Sequence, residues 1–322
     1  MLNPQNRLRK FRKNSLSNSK LGYWTIKSKL QALLLGVSLG SVVVVSGIGW
    51  YQTQATLRNK IAEQLAGIRT TKADQFESYF ENLNNQVGML ASDGNVVKAM
   101  VELNGGFRNL ERSFVPPEWD TAMEAYYTEQ FLPRLKKNLP PEANLNVYPP
   151  TGQAARYLQY YYIASNPNPV GQKHKLLDAG DGSAYTKAHA KYQKFFTEMV
   201  EKFGYYDLFL INPKTGDIVY SYYKETDFAT NRLQGSYPQS ALADLVQTVL
   251  TNPTQGSVQV ADFKPYRPSY DTPAAFMATP IYSGTNIIGI LAVQIPIKKL
   301  DQAISRNNNW VGGGLQKTGK LI

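Results

Sequence analysis

Three stretches of this 322-residue chain carry residue types and spacings that could do chemistry. The sequence ends in GGGLQKTGKLI, and from Gly314 it reads G-x-x-x-x-G-K-L, the spacing of a phosphate-cradling loop. Such a loop follows a strand, opens a helix and places Ser or Thr after the lysine to hold magnesium. Leu321 occupies that place and the sequence stops one residue later, so a nucleotide site is not expected. In DAGDGS, Asp178 and Asp181 suggest a calcium loop, but the alternating ligands and late glutamate of an EF-hand are missing. Ordinary turn chemistry accounts for the same Asp and Gly residues. Glu225 and Asp227 in YKETDF are spaced as an acid–base pair for an anchored extracytoplasmic enzyme, and are equally explained as consecutive surface acids.

Other catalytic material is scarce. There is no cysteine, which excludes disulfides, thiolate nucleophiles and thiolate metal sites. His174 and His189 are the only histidines. No cofactor or metal is expected, and the chain does not read as an enzyme. The net charge of +11 suggests nucleic acid until its distribution is considered. Eight of the 35 basic residues fall within the first 29 positions, where there is no acid; the remainder sets 27 basic residues against 24 acidic ones. A nucleic-acid binder carries its charge on a folded face rather than in a tail, so nucleic acid is not expected as a partner.

Behind that tail lies LQALLLGVSLGSVVVVSGIGWY, Leu30 to Tyr51, with no charged residue between Lys29 and Arg58. About 20 apolar residues at 1.5 Å rise cross a hydrocarbon core of roughly 30 Å. Tyr23, Trp24, Trp50 and Tyr51 stand where an aromatic belt is expected. The long basic region and the poor cleavage site in GWYQTQA argue against a removed signal peptide. The positive-inside rule puts the N-terminus in the cytoplasm and the rest outside a cell (inner) membrane crossed once.

The outer portion must position any site. Leu57, Ile61, Leu65, Ile68, Phe76, Tyr79, Leu83, Val87 and Leu90 recur at spacings of three or four, predicting a long helix over 52–103. Its stripe either packs on its own domain or zips against a second copy, so a homodimer is expected. Proline-punctuated short helices follow, one of them over Trp119 to Leu132, and another helix covers Tyr185 to Lys202. Then the period changes to two: YYDLFLI, a turn at NPKTG, DIVYSYY, a helix over Ser240 to Leu250, then GSVQVADF, AAFMATPIY and IIGILAVQIPI. Five strands joined mostly by hairpins imply an α+β fold with an antiparallel sheet covered on one face, of the PAS-like type.

In order, the blocks SYFENLNNQVGMLASDGNVVKAM, YIASNPNPVGQKHKLLDAGDGSAYTKAH, FGYYDLFLINPKTGDIVYSYYKETDF and ADFKPYRPSYDTPAAFMATPIY resemble the extracytoplasmic Cache (PAS-like) sensor region of bacterial transmembrane receptors. Chemoreceptors, sensor histidine kinases and membrane adenylate or guanylate cyclases carry such regions. The resemblance runs from about Trp24 to the end. It implies a basic cytoplasmic tail (1–29), a transmembrane helix (30–51), a stalk or signalling helix (52–103), a mainly helical part of the sensor (104–200), a Cache sheet core (201–300) and the start of a second, truncated Cache module (301–322). The implied function is ligand sensing for signal transduction, with the output domain absent from this sequence. The alternatives are a membrane-tethered structural or interaction protein, or a non-functional receptor remnant.

On that reading a small-molecule ligand of unknown identity binds at strand ends and in the FKPYRPSYD loop. Asp262 would hold an amine and Arg267 a carboxylate, while Tyr206, Tyr222, Tyr266 and Tyr270 would supply walls with hydroxyl handles. Asp207, beside Tyr206 in an apolar strand, is a further candidate. The tyrosine–arginine–tryptophan pattern of amino-acid-binding Cache modules is missing, so an amino-acid ligand has no support.

Overall fold

The computed structural model describes residues 25–140, 149–233, 235 and 237–297. Most of the basic tail, Tyr23 and Trp24, and the expected second module at 301–322 with its glycine-rich end lie outside the described residues. The chain divides into two compact units, Met1–Arg69 and Thr70–Ile322.

In the first unit the described residues are helical from Ile26, within α1 (Ile26–Ala91). Leu33, Leu34, Val43, Val44 and Val45 are exposed, and the helix is apolar and long enough to cross a membrane. A helix that is apolar all round has lipid as its natural solvent, because every backbone group is already satisfied within the helix. Leu57 and Leu65 of the expected stripe are exposed in the single chain.

In the second unit, Leu83, Val87 and Leu90 of α1 are buried at helical spacing. The helix expected to run unbroken to 103 ends at Ala91 and restarts as α2 (Gly94–Leu110). The cause is local: the Asp93 carboxylate accepts the Asn95 amide at 2.7 Å, capping a new helix where Gly94 follows. Next come α3 (Pro117–Tyr126), a π-helical turn (Tyr127–Phe131), α4 (Leu132–Lys136), α5 (Gln153–Gln159), a second π turn (Tyr160–Ala164) and α6 (Ala184–Phe203). Ser183 caps α6 through the Thr186 amide, and Gly204 closes it in the left-handed conformation. Gly106 lets α2 and α6 meet, since a Cβ there would lie 2.6 Å from the Tyr185 Cα.

The sheet comprises β1 (Asp207–Ile211), β2 (Ile218–Ser221), β3 (Gln259–Tyr266), β4 (Thr272–Ser283) and β5 (Asn286–Ile295). All pairs are antiparallel and the spatial order is β2-β1-β5-β4-β3, an α+β fold with a PAS-like sheet. The turn between β1 and β2 forms as NPKTG requires: the Asn212 side chain accepts the Lys214 amide at 2.8 Å, and Gly216 has φ +79°.

Both faces of the sheet are covered, not one. Phe209, Ile211, Phe276 and Ile290 pack under α7 (Ala241–Thr251) through Leu242, Val246 and Val249. Leu208, Leu210, Met277, Leu291 and Val293 face the opposite way, into the core shared with α2 and α6. The period-two alternation of DLFLI is therefore apolar on both sides, which is why the strand reads as a continuous apolar run.

Candidate functional site

The loop that leaves β2 at Ser221 returns beside it through a bridge between Asp217 and Asn231. It carries SYYKETDFATNR, a polar segment by composition, and it is buried. Glu225 is 8% exposed and Asp227 and Arg232 are 0% exposed, which overturns the reading of Glu225 and Asp227 as surface acids. Lys224 and, at the start of β1, Asp207 are buried with them.

Each charge has a distinct environment. The Asp207 carboxylate accepts the amides of Leu208 (2.7 Å), Tyr222 (2.8 Å) and Tyr223 (3.0 Å) and the Ser221 hydroxyl (2.9 Å). Burial, and then the charge of Asp227, push its pKa up to about 7, while these hydrogen bonds hold it down. The Lys224 ammonium donates to the Ser221 carbonyl and sits 4.4 Å from the Tyr220 ring centroid. Burial lowers its pKa to about 7, against the pull of Asp207. Glu225 accepts the Tyr206 hydroxyl at 2.8 Å and the Ser269 hydroxyl at 2.6 Å, and burial, with Asp227 next, raises its pKa well above the usual carboxylate range.

Asp227 accepts the Tyr266 hydroxyl at 2.6 Å on Oδ2, while Oδ1 is buried with no partner. Burial raises its pKa, and Arg232 and Tyr266 oppose the rise. The Arg232 guanidinium donates to the Thr230 hydroxyl and lies 5.2 Å from the Tyr237 ring centroid, and its Nε and Nη1 have no partner among the described residues. Native interiors rarely strand polar atoms in this way without water, an ion or a ligand nearby.

The helical part holds the loop in place. Tyr127, in the first π turn, donates at 2.8 Å to Oε1 of Gln159, the residue before the second, and Gln159 Nε2 donates to the carbonyls of Thr226 (3.1 Å) and Phe228 (2.7 Å). π turns recur at functional sites, and here the residues in and just before them reach the loop backbone, Tyr127 at the Thr226 carbonyl (3.4 Å) as well. A cavity of about 300 Å³ lies beyond the loop, bordered by Phe107, Glu111, Gln153, Asp217, Thr230 and Asn231 among others. Thr230 belongs to both places, since its hydroxyl donates to the Asp227 carbonyl at 2.7 Å and accepts from Arg232.

The structure brings Tyr206, Asp207 and Tyr266 into this network. Tyr222 joins it through its amide, while its ring stacks on His174 at 4.7 Å. Tyr270 has φ +58° and packs on Phe131, and burial, then Tyr126 and Glu225, raise its pKa. Arg267 forms a 3.5 Å ion pair with Asp271. Asp262 is exposed and its carboxylate accepts the Phe263 amide, so it caps its own backbone rather than facing Glu225 or Asp227. Asp178 and Asp181 each accept an amide two residues on, as turn chemistry expects.

Sequence reasoning missed Ser221, Lys224, Arg232, Ser269 and Gln294. Their one signal was several charged residues directly after an apolar strand, the same pattern a solvated loop presents. His189 is fully buried with Nδ1 3.0 Å from the Leu177 carbonyl, and burial lowers its pKa far below the usual value; burial, then the Lys224 charge, lowers that of His174 as well.

No family model matches the chain, and no curated protein matches it. Among solved structures it is similar to the sensor domain of the V. cholerae histidine kinase DctB, at 15% identity and a TM-score of 0.27. The match covers 46% of this chain and 50% of that one, so the chain spans about half the length of that structure. The likeness to a sensor domain is a coarse one.

Proposed function

We propose that this chain is the membrane-anchored, extracytoplasmic ligand-sensing region of a signal-transduction receptor. The carrying observation is the 221–232 loop, which buries charged groups with unbonded atoms on one side and borders a cavity on the other. A cavity of about 300 Å³ is at the small end of ligand sites. A small polar molecule seated there contacts Thr230 and Asn231 and so acts on the hydrogen bonds of Arg232 and Asp227. Binding shifts the balance between two loop arrangements only by the difference in affinity for them. Any change in the loop reaches β1 through Asp207 and β5 through Ser269 and Gln294. On this reading the chain binds rather than catalyses, and a second copy joined through α1 is the natural means of passing the change on.

The test is a melting-temperature screen of the full chain in nanodiscs against small polar molecules. A ligand at 100 times its Kd stabilises the folded state by about 2.7 kcal/mol. The expected result is a concentration-dependent rise that Gln153→Trp, which fills the cavity, abolishes. A rise that survives Gln153→Trp rejects this cavity, and a screen with no rise rejects the ligand-sensing role.

A further inference from the structure

In this network three buried carboxylates meet two buried cations, Lys224 and Arg232; a third buried cation, Lys173, donates to the Asn166 carbonyl at 2.7 Å instead. With every group charged, the network carries one negative charge more than it balances, a costly arrangement. Lys224 is paired electrostatically with Asp207, and Arg232 with Asp227. Glu225 is the acid left over. Among the described residues its carboxylate is bonded by the hydroxyls of Tyr206 and Ser269 alone, and the charges acting most strongly on it are those of Asp227 and Asp207, both acids. Around it stand Tyr206 just before β1, Asp207 at its start, Asp227 from the loop and Ser269 from the turn before β4. Its charge is also felt by Tyr126, Tyr223, Tyr266 and Tyr270, and Arg134 of α4 acts on Tyr126 and Tyr270 in the opposite sense.

The hydroxyl of Ser269 has one hydrogen to give. With Glu225 ionised that hydrogen goes to Glu225, and Gln294 Nε2 donates to Ser269 at 3.3 Å. This leaves the buried Oε1 of Gln294 with no partner. Protonation of Glu225 by solvent reverses the relay. The new Glu225 O–H donates to Ser269, and Ser269 donates to Gln294 Oε1 once the amide has turned over, so that the amide nitrogen takes the unbonded place the oxygen held. Gln294 sits opposite Asp207 on the neighbouring strand, and its carbonyl accepts the Tyr206 amide at 2.8 Å. The relay therefore ends on the central pair of the sheet.

We propose that the proton is itself a stimulus of this sensing region, bound at Glu225 and passed through Ser269 to Gln294 on β5. This rests on the sensing function proposed above and names one stimulus for it. Burial favours the protonated form, in the direction the proposal requires.

The test is infrared spectroscopy of the full chain in nanodiscs, following the carbonyl stretch of protonated carboxyl groups from about pH 4 to pH 9. Expected is a band that persists above the ordinary glutamate range and loses one carboxyl's share of its intensity in Glu225→Gln, the remainder belonging to Asp207 and Asp227, whose pKa values are also raised. A wild-type spectrum with no such band, or a band of unchanged intensity in Glu225→Gln, overturns the proposal. If Glu225→Gln does not fold, Ser269→Ala decides. It removes a hydrogen bond that favours the ionised form, so the midpoint moves up; an unmoved or lowered midpoint overturns the proposal. Fusion to a kinase output separates the two readings. A flat output across a pH range in which Glu225 titrates rejects the proton as stimulus and leaves the small-molecule reading standing. A ligand that raises the melting temperature without any titration of Glu225 does the same.

Discussion

Tyr266, at the end of the edge strand β3, donates its hydroxyl to Asp227 at 2.6 Å, and this is the one hydrogen bond from another side chain that the buried carboxylate receives. Both residues are 0% exposed, so water offers no substitute. Tyr266→Phe keeps the ring against Phe276 and removes the donor. A hydrogen bond to a charged group contributes about 1.5–3 kcal/mol, and a loss in that range is expected in urea unfolding, with the slope unchanged. A loss below about 0.5 kcal/mol is what a surface change costs, and would show that Asp227 is held otherwise.

Asp207 and Lys224 test whether the buried charges act as a pair. Asp207→Ala strands the amide of Tyr223, takes one of two acceptors from the Tyr222 amide, which also donates to the Leu208 carbonyl, and leaves Lys224 without its acid. Breaking a buried pair in this way costs about 3–5 kcal/mol. Lys224→Met alone leaves the acid uncompensated and is expected to be destabilising too. The double variant is expected to fall short of the sum by about 1–3 kcal/mol, the range for residues in one network. Additive losses would show that the two groups do not interact.

The pH dependence follows from the direction of each shift. The folded-state pKa values of Asp207, Glu225 and Asp227 are raised, so the stability they contribute is full below the unfolded value and is lost as pH rises through the folded one. For Asp207 that window runs from the ordinary value of 3.8 to about 7. Lys224 is lowered from 10.5 to about 7, so its contribution is lost as pH falls through the interval above. Burial holds His174 and His189 below the usual histidine value, so their contribution is lost as pH falls and opposes the carboxylates below neutrality. Asp207 is therefore read by difference: the melting temperature of the wild type relative to Asp207→Asn is expected to fall between about pH 4 and pH 7. A difference that stays flat across that range in differential scanning calorimetry would contradict this.

Most of the architecture was legible because it rests on periodicity. DLFLI and IIGILAVQI declare strands by their apolar runs, NPKTG declares its turn, and Ser240 and Ser183 mark helix starts. The break at Ser92-Asp93-Gly94 was missed because the apolar stripe continues through it, with Leu90 and Val96 both buried. Covering of the second sheet face was missed because the covering helices come from far away in the chain. The site was legible in part. Tyr206 and Asp207 stood out as polar groups in an apolar strand and Tyr266 as an aromatic of the FKPYRPSYD loop, whereas Lys224 and Arg232 did not. What buries them is the return of the loop to Asp217 and the reach of Gln159 across 67 residues to Thr226, neither of which has a local signature.

The contact between α2 and α6 supplies a test of the helical layer. A methyl group on Gly106 would lie 2.6 Å from the Tyr185 Cα and 2.8 Å from its amide nitrogen, and backbone yields less readily than a side chain. Tyr185 is fully buried and its hydroxyl donates to the Val219 carbonyl on β2 at 2.7 Å, so a shift of α6 is passed to the sheet. Gly106→Ala, ordinarily favourable inside a helix by about 1 kcal/mol, is expected here to destabilise by about 1–3 kcal/mol through overpacking. Gly105→Ala, one residue away with open space around it, serves as the matched control and is expected to be neutral or stabilising. Equal effects at the two positions, measured by chemical unfolding, would show that the helices do not meet at Gly106.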